Sequence, residues 1–265
     1  FLTFLNRCAI LIENNKEQGE KNMAHISFSG LKLWNECPYK YKLAYIDKVA
    51  KFEGNIYTAF GSAMHTVCEK NLLKEWKQED SPQNFIDCFF REIERLPEAE
   101  KEKIEEKFVE QMIEQGKKLA PEAIPYLKDH FGEFEILSSE ENLMESIEGK
   151  GKTKFKGFVD LFIKTSDDKY HVIDWKTCSW GWDSRKRTDP MVTYQLTLYK
   201  HFLGKKHNID PKSIETHFAL LKRTAKKNSV EIFRVTSGPR KTKNALTLLD
   251  KALFNIEKGF FIKNR

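Results

Sequence analysis

The sequence predicts an α/β (α+β) fold, in which a helical N-terminal region leads into a central mixed β-sheet flanked by helices. Apolar residues recur at helical spacing through most of the first half of the chain. After Gly132 they alternate with polar residues or run continuously, as they do in strands. Helical spacing returns from Pro190 to Phe202 and again from Thr242 to Ile256. We therefore expect helices, then a sheet interrupted by one helix, then a final helix.

The composition is that of a globular protein. Of 265 residues, 40% are hydrophobic and 32% charged, with no uninterrupted apolar run of about twenty residues. A membrane function is therefore not expected. The net charge of +6 is too small to indicate a polyanionic partner by itself. The five cysteines have neither the spacing of a zinc site nor the density of a disulfide scaffold, which favours a reducing, cytoplasmic compartment.

We expect one domain over residues 23–265. Residues 1–22 contain the apolar stretches FLTFLN and CAILI but lack the small residues of a signal-peptide cleavage site. Met23 begins MAHISFSGLKLW, which reads like a natural start. The first 22 residues are therefore interpreted as an N-terminal extension to which we assign no role.

The N-terminal half contains several predicted helices. Pro38 should divide the apolar pattern of residues 29–46 into two short helices. The segment from Ala59 to Trp76 has no proline, and a helix there places His65 and Glu69, four residues apart, on one face. Ser81-Pro82 resembles an N-cap followed by proline in the first turn. The charged run EAEKEKIEEKF is interpreted as the solvated face of a helix.

The second half contains the predicted sheet. The segments FEILSSEENLMESIE, TKFKGFVDLFIKT and YHVIDWKT predict an antiparallel meander, with SDDK as a turn. A helix around residues 190–202 should lead to two further strands, IETHFALLKR and SVEIFRV.

Two carboxylates in the predicted strands indicate a metal-binding, catalytic site. Asp160 lies within GFVDLFI and Asp174 ends HVIDWKT, so neighbouring strands could bring them together. A buried carboxylate costs several kcal/mol unless it is paired or coordinates a cation, and hard oxygen ligands favour Mg²⁺ or Mn²⁺. Lys176, two residues beyond Asp174, should share its face and could stabilise a phosphodiester transition state. An exposed Asp–Lys ion pair remains the alternative interpretation of these residues alone.

Four separate blocks, in order, resemble the RecB-like branch of the PD-(D/E)xK nuclease superfamily. They are SFSGLKLWNECPYKYKLAYI, GSAMHTVCEK with the pattern Gly-x-x-x-His-x-x-x-Glu, the pair GFVDLFI and VIDWKT, and YQLTLY with the pattern Gln-x-x-x-Tyr. Together they span about residues 27 to 199. The resemblance implies a restriction-endonuclease-like core.

The resemblance also implies roles for particular residues. Asp160, Asp174 and Lys176 take the catalytic positions. One or two Mg²⁺ or Mn²⁺ ions would be bound by both acids, by His65 and by the backbone carbonyl of Trp175. Three further residues are supporting or DNA-binding: Glu69, which takes the place of an additional acid in some relatives, and Gln195 and Tyr199, which would contact DNA or brace the active site.

Some relatives carry an iron–sulfur cluster held by one cysteine in the opening helix and three near the C-terminus. Cys37 occupies the first position, but no cysteine follows Cys178. We therefore expect no iron–sulfur cluster in this chain; either this member dispenses with it or the chain is truncated.

The function implied is that of a metal-dependent DNA exonuclease of recombination, repair or phage DNA metabolism. No Gly-x-x-x-x-Gly-Lys-Ser/Thr loop is present, so a separate helicase or recombination protein would supply any unwinding. A non-catalytic DNA-binding protein and an RNA-directed nuclease are the alternatives. Five basic residues could contact phosphate or be solvated surface: Arg185, Lys186, Arg187, Lys222 and Arg223. Trp175, Trp180 and Trp182 could stack on unpaired bases or belong to the core.

Overall fold

A computed structural model of the chain describes residues 25–49 and 53–264. The predicted extension, residues 1–22, lies outside the described residues. Six strands form one sheet in the described part of the chain: β1 (His25–Ser27), β2 (Phe134–Ser146), β3 (Lys154–Thr165), β4 (Tyr170–Cys178), β5 (Ile214–Lys222) and β6 (Val230–Val235).

Helices surround this sheet. Those before the β2–β4 meander are α1 (Phe28–Glu36), α2 (Pro38–Tyr41), α3 (Ile56–Leu72), α4 (Ser81–Glu94), α5 (Glu98–Lys101), α6 (Glu106–Leu119) and α7 (Ala123–Phe131). Those after it are α8 (Ser184–Thr188), α9 (Pro190–His207) and α10 (Pro239–Glu257). A π-helical turn (Lys42–Ile46) follows α2, and 3-10 turns cover Gln78–Asp80 and Pro211–Ser213.

The strand order β1-β3-β4-β5-β6, with β2 also paired to β3, makes the sheet mixed. Strands β2, β3 and β4 form the predicted antiparallel meander. Helix α9 then crosses over to place β5 parallel to β4, and β6 returns antiparallel to β5. Strand β1 pairs in parallel with the first residues of β3. The predicted fold class, a mixed sheet flanked by helices, is confirmed.

Two apolar cores lie against the sheet. One is built mainly from α3, α4, α6 and α7, with Phe60, Phe85 and Phe89 packed ring against ring. The other is built from α1, α9 and α10, where Phe155 of β3 stacks on Phe202 of α9 with ring centroids 4.5 Å apart. The sheet is thus anchored on both faces, which holds its strands in fixed positions for the side chains described below.

The structure corrects two local predictions and adds one helix. Ser81 is not the N-cap of α4: Asp80 takes that position, while the buried Ser81 hydroxyl donates a 2.6 Å hydrogen bond to the Gln78 carbonyl. The charged run over residues 98–108 is not the face of one helix, because the chain leaves α5 and packs Ile104 against the core before α6 begins. Helix α7 was not predicted.

One local expectation, for the opening helices, is met. The pattern over residues 29–46 divides at Pro38, which is the first residue of α2. Four cysteines within the described residues, Cys37, Cys68, Cys88 and Cys178, are free thiols. No helix among the described residues is long and apolar enough to cross a membrane.

Candidate active site

The predicted carboxylates meet where β3 and β4 diverge. The two strands pair from Lys164 and Tyr170 as far as Leu161 and Ile173, and Asp160 and Asp174 come next on each strand. The backbone pairing stops there. The N–H of Trp175 instead donates a 2.8 Å hydrogen bond to Oδ2 of Asp160. The Asp160 side chain thereby satisfies a backbone donor that the separated strands leave without a ladder partner.

Asp174 is almost completely buried, with 1% of its surface exposed. Its Oδ1 accepts a 2.8 Å hydrogen bond from Nε2 of Gln195. Its Oδ2 lies 2.5 Å from Nζ of Lys176, so the two side chains form a close ion pair. Burial, assisted by the nearby Asp160 carboxylate, raises the pKa of Asp174 to about 6 despite the attraction of Lys176. The Asp174 carboxylate is thus held by an amide on one oxygen and by an ammonium on the other.

Lys176 shares the face of Asp174, as strand alternation predicts, and about a third of its side chain is exposed. Burial lowers the pKa of its ammonium, but the Asp174 and Asp160 carboxylates outweigh that effect, so the pKa lies above its ordinary value. Lys176 is therefore a cation at neutral pH. Such a group can stabilise negative charge but is a poor proton acceptor.

His65 approaches these carboxylates from α3. The helix begins at a capping box, in which the Asn55 side chain accepts from the N–H groups of Tyr57 and Thr58. His65 projects toward β4, with Nε2 3.0 Å from the carbonyl oxygen of Trp175 and Nδ1 3.6 Å from Oδ2 of Asp160. The structure therefore brings together the histidine, the carbonyl and the acid named from the sequence.

Glu140 was missed by the sequence reasoning. It lies on β2 opposite Asp160, beyond a β-bulge between Ile136 and Ser138, and adopts a positive φ of 50°. Ligand atoms of His65, Glu140 and Asp160 lie within 4.8 Å of one another. Partial burial and the Asp160 carboxylate raise the pKa of Glu140 to about 7, and Glu69 of α3 adds to this effect. Glu69 is therefore near the cluster, although its atoms are not part of that close group.

Gln195 and Tyr199 lie one turn apart on α9, and Gln195 also donates a 3.2 Å hydrogen bond to the Tyr199 hydroxyl. The Tyr199 side chain is buried, and burial together with Asp174 raises its pKa to about 12. Its ring packs directly on Gly157 of β3, where a Cβ would lie 2.7 Å from Cε1 of Tyr199. Only glycine leaves room for this approach.

The other aromatic and basic candidates differ in exposure. Trp175 and Trp182 belong to the core, whereas Trp180, just beyond β4, is 80% exposed. Arg187 and Lys222 both pair with Glu231, at 2.7 and 3.4 Å.

Arg223 is also held within the protein. Its guanidinium donates to Gln115 and Ser179 and lies over the rings of Tyr57 and Phe60. Arg185 and Lys186 of α8 have no carboxylate ion pair within the described part of the chain.

The donor set at this point suits a hard divalent cation. It offers carboxylates, one backbone carbonyl and one imidazole, with His65, Glu140 and Asp160 as the close group and the buried Asp174 beside them. His65, Asp160, Asp174, Glu140 and the Trp175 carbonyl are therefore the groups that could hold an ion.

Comparisons with known proteins bear on the family and the fold of the chain. A family model described as the PD-(D/E)XK nuclease superfamily matches residues 25–263. No curated protein matches the chain. Among solved structures, a proposed exonuclease from Eubacterium rectale is similar with a TM-score of 0.57 and 12% identity, covering 96% of this chain and 88% of that one. The structure of SSO0001 gives a TM-score of 0.40 at 13% identity, covering 96% and 85%. The first likeness supports the fold.

Proposed function

Because the chain belongs to the PD-(D/E)XK nuclease superfamily, we propose that it is a Mg²⁺- or Mn²⁺-dependent deoxyribonuclease that degrades DNA from single-stranded or duplex ends. The observation that carries this proposal is the meeting of Asp160, Asp174 and Lys176 where β3 and β4 diverge. Two acids beside a protonated lysine form a site suited to hydrolysis of a phosphodiester.

His65, Asp160, Asp174 and the carbonyl of Trp175 would hold one or two ions, with Glu140 as a further carboxylate ligand. Divalent metals are the cofactors of this superfamily. The oxygen-rich donor set supports Mg²⁺ or Mn²⁺ in particular. When bound, such ions would lower the pKa of a ligated water and neutralise the charge that develops on the phosphate.

Lys176 would act as a cation rather than as a base. In the metal-free protein, the Asp174 and Asp160 carboxylates raise the pKa of its ammonium and keep it protonated. From its position 2.5 Å from Oδ2 of Asp174, it would donate to the attacking water or to a phosphate oxygen. This supports an orienting and charge-stabilising role for the lysine.

Gln195 and Tyr199 would brace the site. Gln195 fixes Oδ1 of Asp174, and the buried Tyr199 hydroxyl accepts from the same amide. A buried phenol cannot reach a substrate, so bracing fits Tyr199 better than contact with DNA. The negative charge of Glu69 would help to raise the pKa of Glu140, and Glu69 would not bind metal directly.

Exposed groups near the site would engage the nucleic acid. Trp180 presents most of its ring to solvent just beyond β4, where it could stack on an unpaired base. Arg185 is a better candidate for a phosphate contact than Arg187, Lys222 or Arg223, because those three are held by other side chains. Lys186 lies over the Trp182 ring, 4.7 Å from its centroid. The resulting contacts would weaken with rising salt.

The exonuclease mode and the pathway rest on the motif resemblance. The function would be in recombination, repair or phage DNA metabolism, with a separate helicase or recombination protein supplying unwinding. The described cysteines, all free, are consistent with a reducing cytoplasm as the site of action.

The test is cleavage of linear DNA labelled at its 5′ or 3′ end, and of internally labelled circular DNA, with Mg²⁺, Mn²⁺ or EDTA. We expect metal-dependent shortening from linear ends, with circular DNA resistant. Asp174→Asn should abolish it, whereas Asp168→Asn, in the exposed turn between β3 and β4, should not.

Matched DNA and RNA oligonucleotides separate the alternatives. Tight DNA binding without turnover in any metal would indicate a non-catalytic binder and overturn the proposal. Cleavage of RNA alone would replace the deoxyribonuclease by an RNA-directed nuclease.

A further inference from the structure

A second cluster of ligand-type side chains lies at the opposite end of β4 from Asp174. His171 is the second residue of β4, and Glu215 and His217 lie on the neighbouring parallel strand β5, with Glu215 directly opposite His171. Both imidazoles are buried, with 5% and 4% of their surfaces exposed. None of these residues takes part in the proposed nuclease chemistry.

The separations of the three ligand atoms match those around a single metal ion. Nδ1 of His171 lies 3.2 Å from Nε2 of His217, and Oε2 of Glu215 lies 3.9 and 3.8 Å from these two nitrogens. A point equidistant from the three atoms is about 2.1 Å from each, the usual length of a zinc–nitrogen or zinc–oxygen bond.

Neighbouring side chains orient two of these ligands. The Thr165 hydroxyl donates to Asp167 and lies 3.0 Å from Nε2 of His171, so this nitrogen carries the proton and Nδ1 presents its lone pair. Arg234 pairs with Oε1 of Glu215 at 3.2 Å, which leaves Oε2 facing the histidines. Metal-binding histidines and carboxylates are commonly held by such outer hydrogen bonds.

Metal binding by Nε2 of His217 requires that this ring carry its proton on Nδ1. In that tautomer Nδ1 of His171, Nε2 of His217 and Oε2 of Glu215 are three acceptor atoms that face one another. A cation between them would stabilise this arrangement.

We propose that His171, Glu215 and His217 form a binding site for one divalent transition-metal ion, with Zn²⁺ the best chemical match. Two imidazoles and one carboxylate suit zinc, whereas Mg²⁺ and Ca²⁺ prefer oxygen ligands alone. Water or His130 would complete the coordination, since His130 at the end of α7 has its ring centroid 6.2 Å from that of His217. The ion would tie the β3–β4 turn to β5, a structural role independent of the nuclease proposal.

The experiment uses the full chain carrying Asp160→Asn and Asp174→Asn, which removes the carboxylates of the candidate active site. This protein is dialysed against limiting Zn²⁺, its bound zinc is measured, and its Co²⁺ complex is examined by visible absorption. We expect one equivalent of retained zinc and the intense bands of four- or five-coordinate Co²⁺ with nitrogen ligands. No retained zinc, or only the weak spectrum of octahedral Co²⁺, would overturn the site.

Variants added to this background locate the ion. His171→Gln, His217→Gln and Glu215→Gln should each weaken zinc binding at least about tenfold, whereas His201→Gln on α9 should leave it unchanged. Glu215→Gln preserves side-chain size, so it still tests the zinc site if a histidine variant fails to fold. Unchanged zinc binding in a folded Glu215→Gln protein, or in folded variants of both histidines, would contradict the proposal.

Discussion

The side-chain amide of Gln195 donates a 2.8 Å hydrogen bond to Oδ1 of Asp174, joining two residues 21 positions apart in the sequence. Helix α9 supplies the donor, and β4 supplies a carboxylate that is almost completely buried. This contact fixes one oxygen of Asp174 and leaves the other directed at Lys176. The orientation of the candidate active site therefore depends on how α9 packs on the sheet.

Replacing Gln195 tests this dependence. Gln195→Ala removes the donor and frees the carboxylate to rotate, so we expect metal-dependent DNA cleavage to fall about 10- to 100-fold while DNA binding is retained. Initial cleavage rates measure the effect. Gln83→Ala, on the exposed side of α4, is the control and should have wild-type activity. A wild-type rate in Gln195→Ala would mean that the contact has no role in catalysis.

Glu140 should contribute to metal binding. Its carboxylate lies within the close group formed with His65 and Asp160, so Glu140→Gln should raise the Mg²⁺ concentration for half-maximal activity by about tenfold or more. Titrating activity with Mg²⁺ measures this shift. Glu135→Gln, an exposed position on the same strand, should not change the titration. Identical titrations for both variants would remove Glu140 from the ligand set.

The raised pKa of Glu140 also predicts a pH effect on the metal-free protein. Its pKa is about 7 in the folded chain against an ordinary value of 4.5, so the folded state holds the proton more tightly than the unfolded state. The resulting stabilisation is fully present below pH 4.5 and is lost as the pH rises through 7. Because the Glu140 side chain is exposed, solvent screens much of this effect. In EDTA, Glu140→Gln should therefore have a Tm only about 2 °C above that of wild type at pH 8, and the same Tm as wild type at pH 4. A difference in Tm between wild type and Glu140→Gln that stays constant from pH 4 to pH 8 would contradict the raised pKa of Glu140.

Trp180 should contribute to single-strand binding. Because stacking of a base on an aromatic ring contributes about 1–3 kcal/mol, Trp180→Ala should weaken binding of single-stranded DNA roughly tenfold and affect duplex binding less. Fluorescence anisotropy at fixed salt measures both affinities. Phe254→Ala, exposed on α10, serves as the control. Equal losses for Trp180→Ala and Phe254→Ala would argue against a stacking role.

Much of the sheet is predictable because its strands have strong local patterns. The meander β2–β3–β4 follows from alternating or continuous apolar residues around a short turn. The same pattern places Asp160 and Asp174 side by side on neighbouring strands. The placement of the Lys176 side chain on the same face as Asp174 follows from strand alternation alone. The roles of these residues, by contrast, came from the motif resemblance and stay predictions.

The remaining features depend on tertiary pairing that local patterns do not encode. Glu140 reaches Asp160 only because a bulge shifts the register of β2, and nothing in EENL distinguishes it from Glu141. His171 and His217 are 46 residues apart and meet through the parallel pairing of β4 with β5. The break between α5 and α6 arises where Ile104 packs against the core, an effect that charge patterning does not reveal.

The most direct test of the central claim compares wild-type protein with Lys176→Ala on end-labelled DNA, with cleavage and binding measured in the same preparations. Lys164→Ala, which removes a half-buried lysine of β3 that pairs with Asp168, is the matched control. We predict that Lys176→Ala lowers Mg²⁺-dependent cleavage by about 10²-fold or more while binding persists, because the cation beside Asp174 is lost. Full cleavage by Lys176→Ala, or equal cleavage by wild type in Mg²⁺ and in EDTA, would contradict a metal-dependent nuclease centred on Asp160, Asp174 and Lys176.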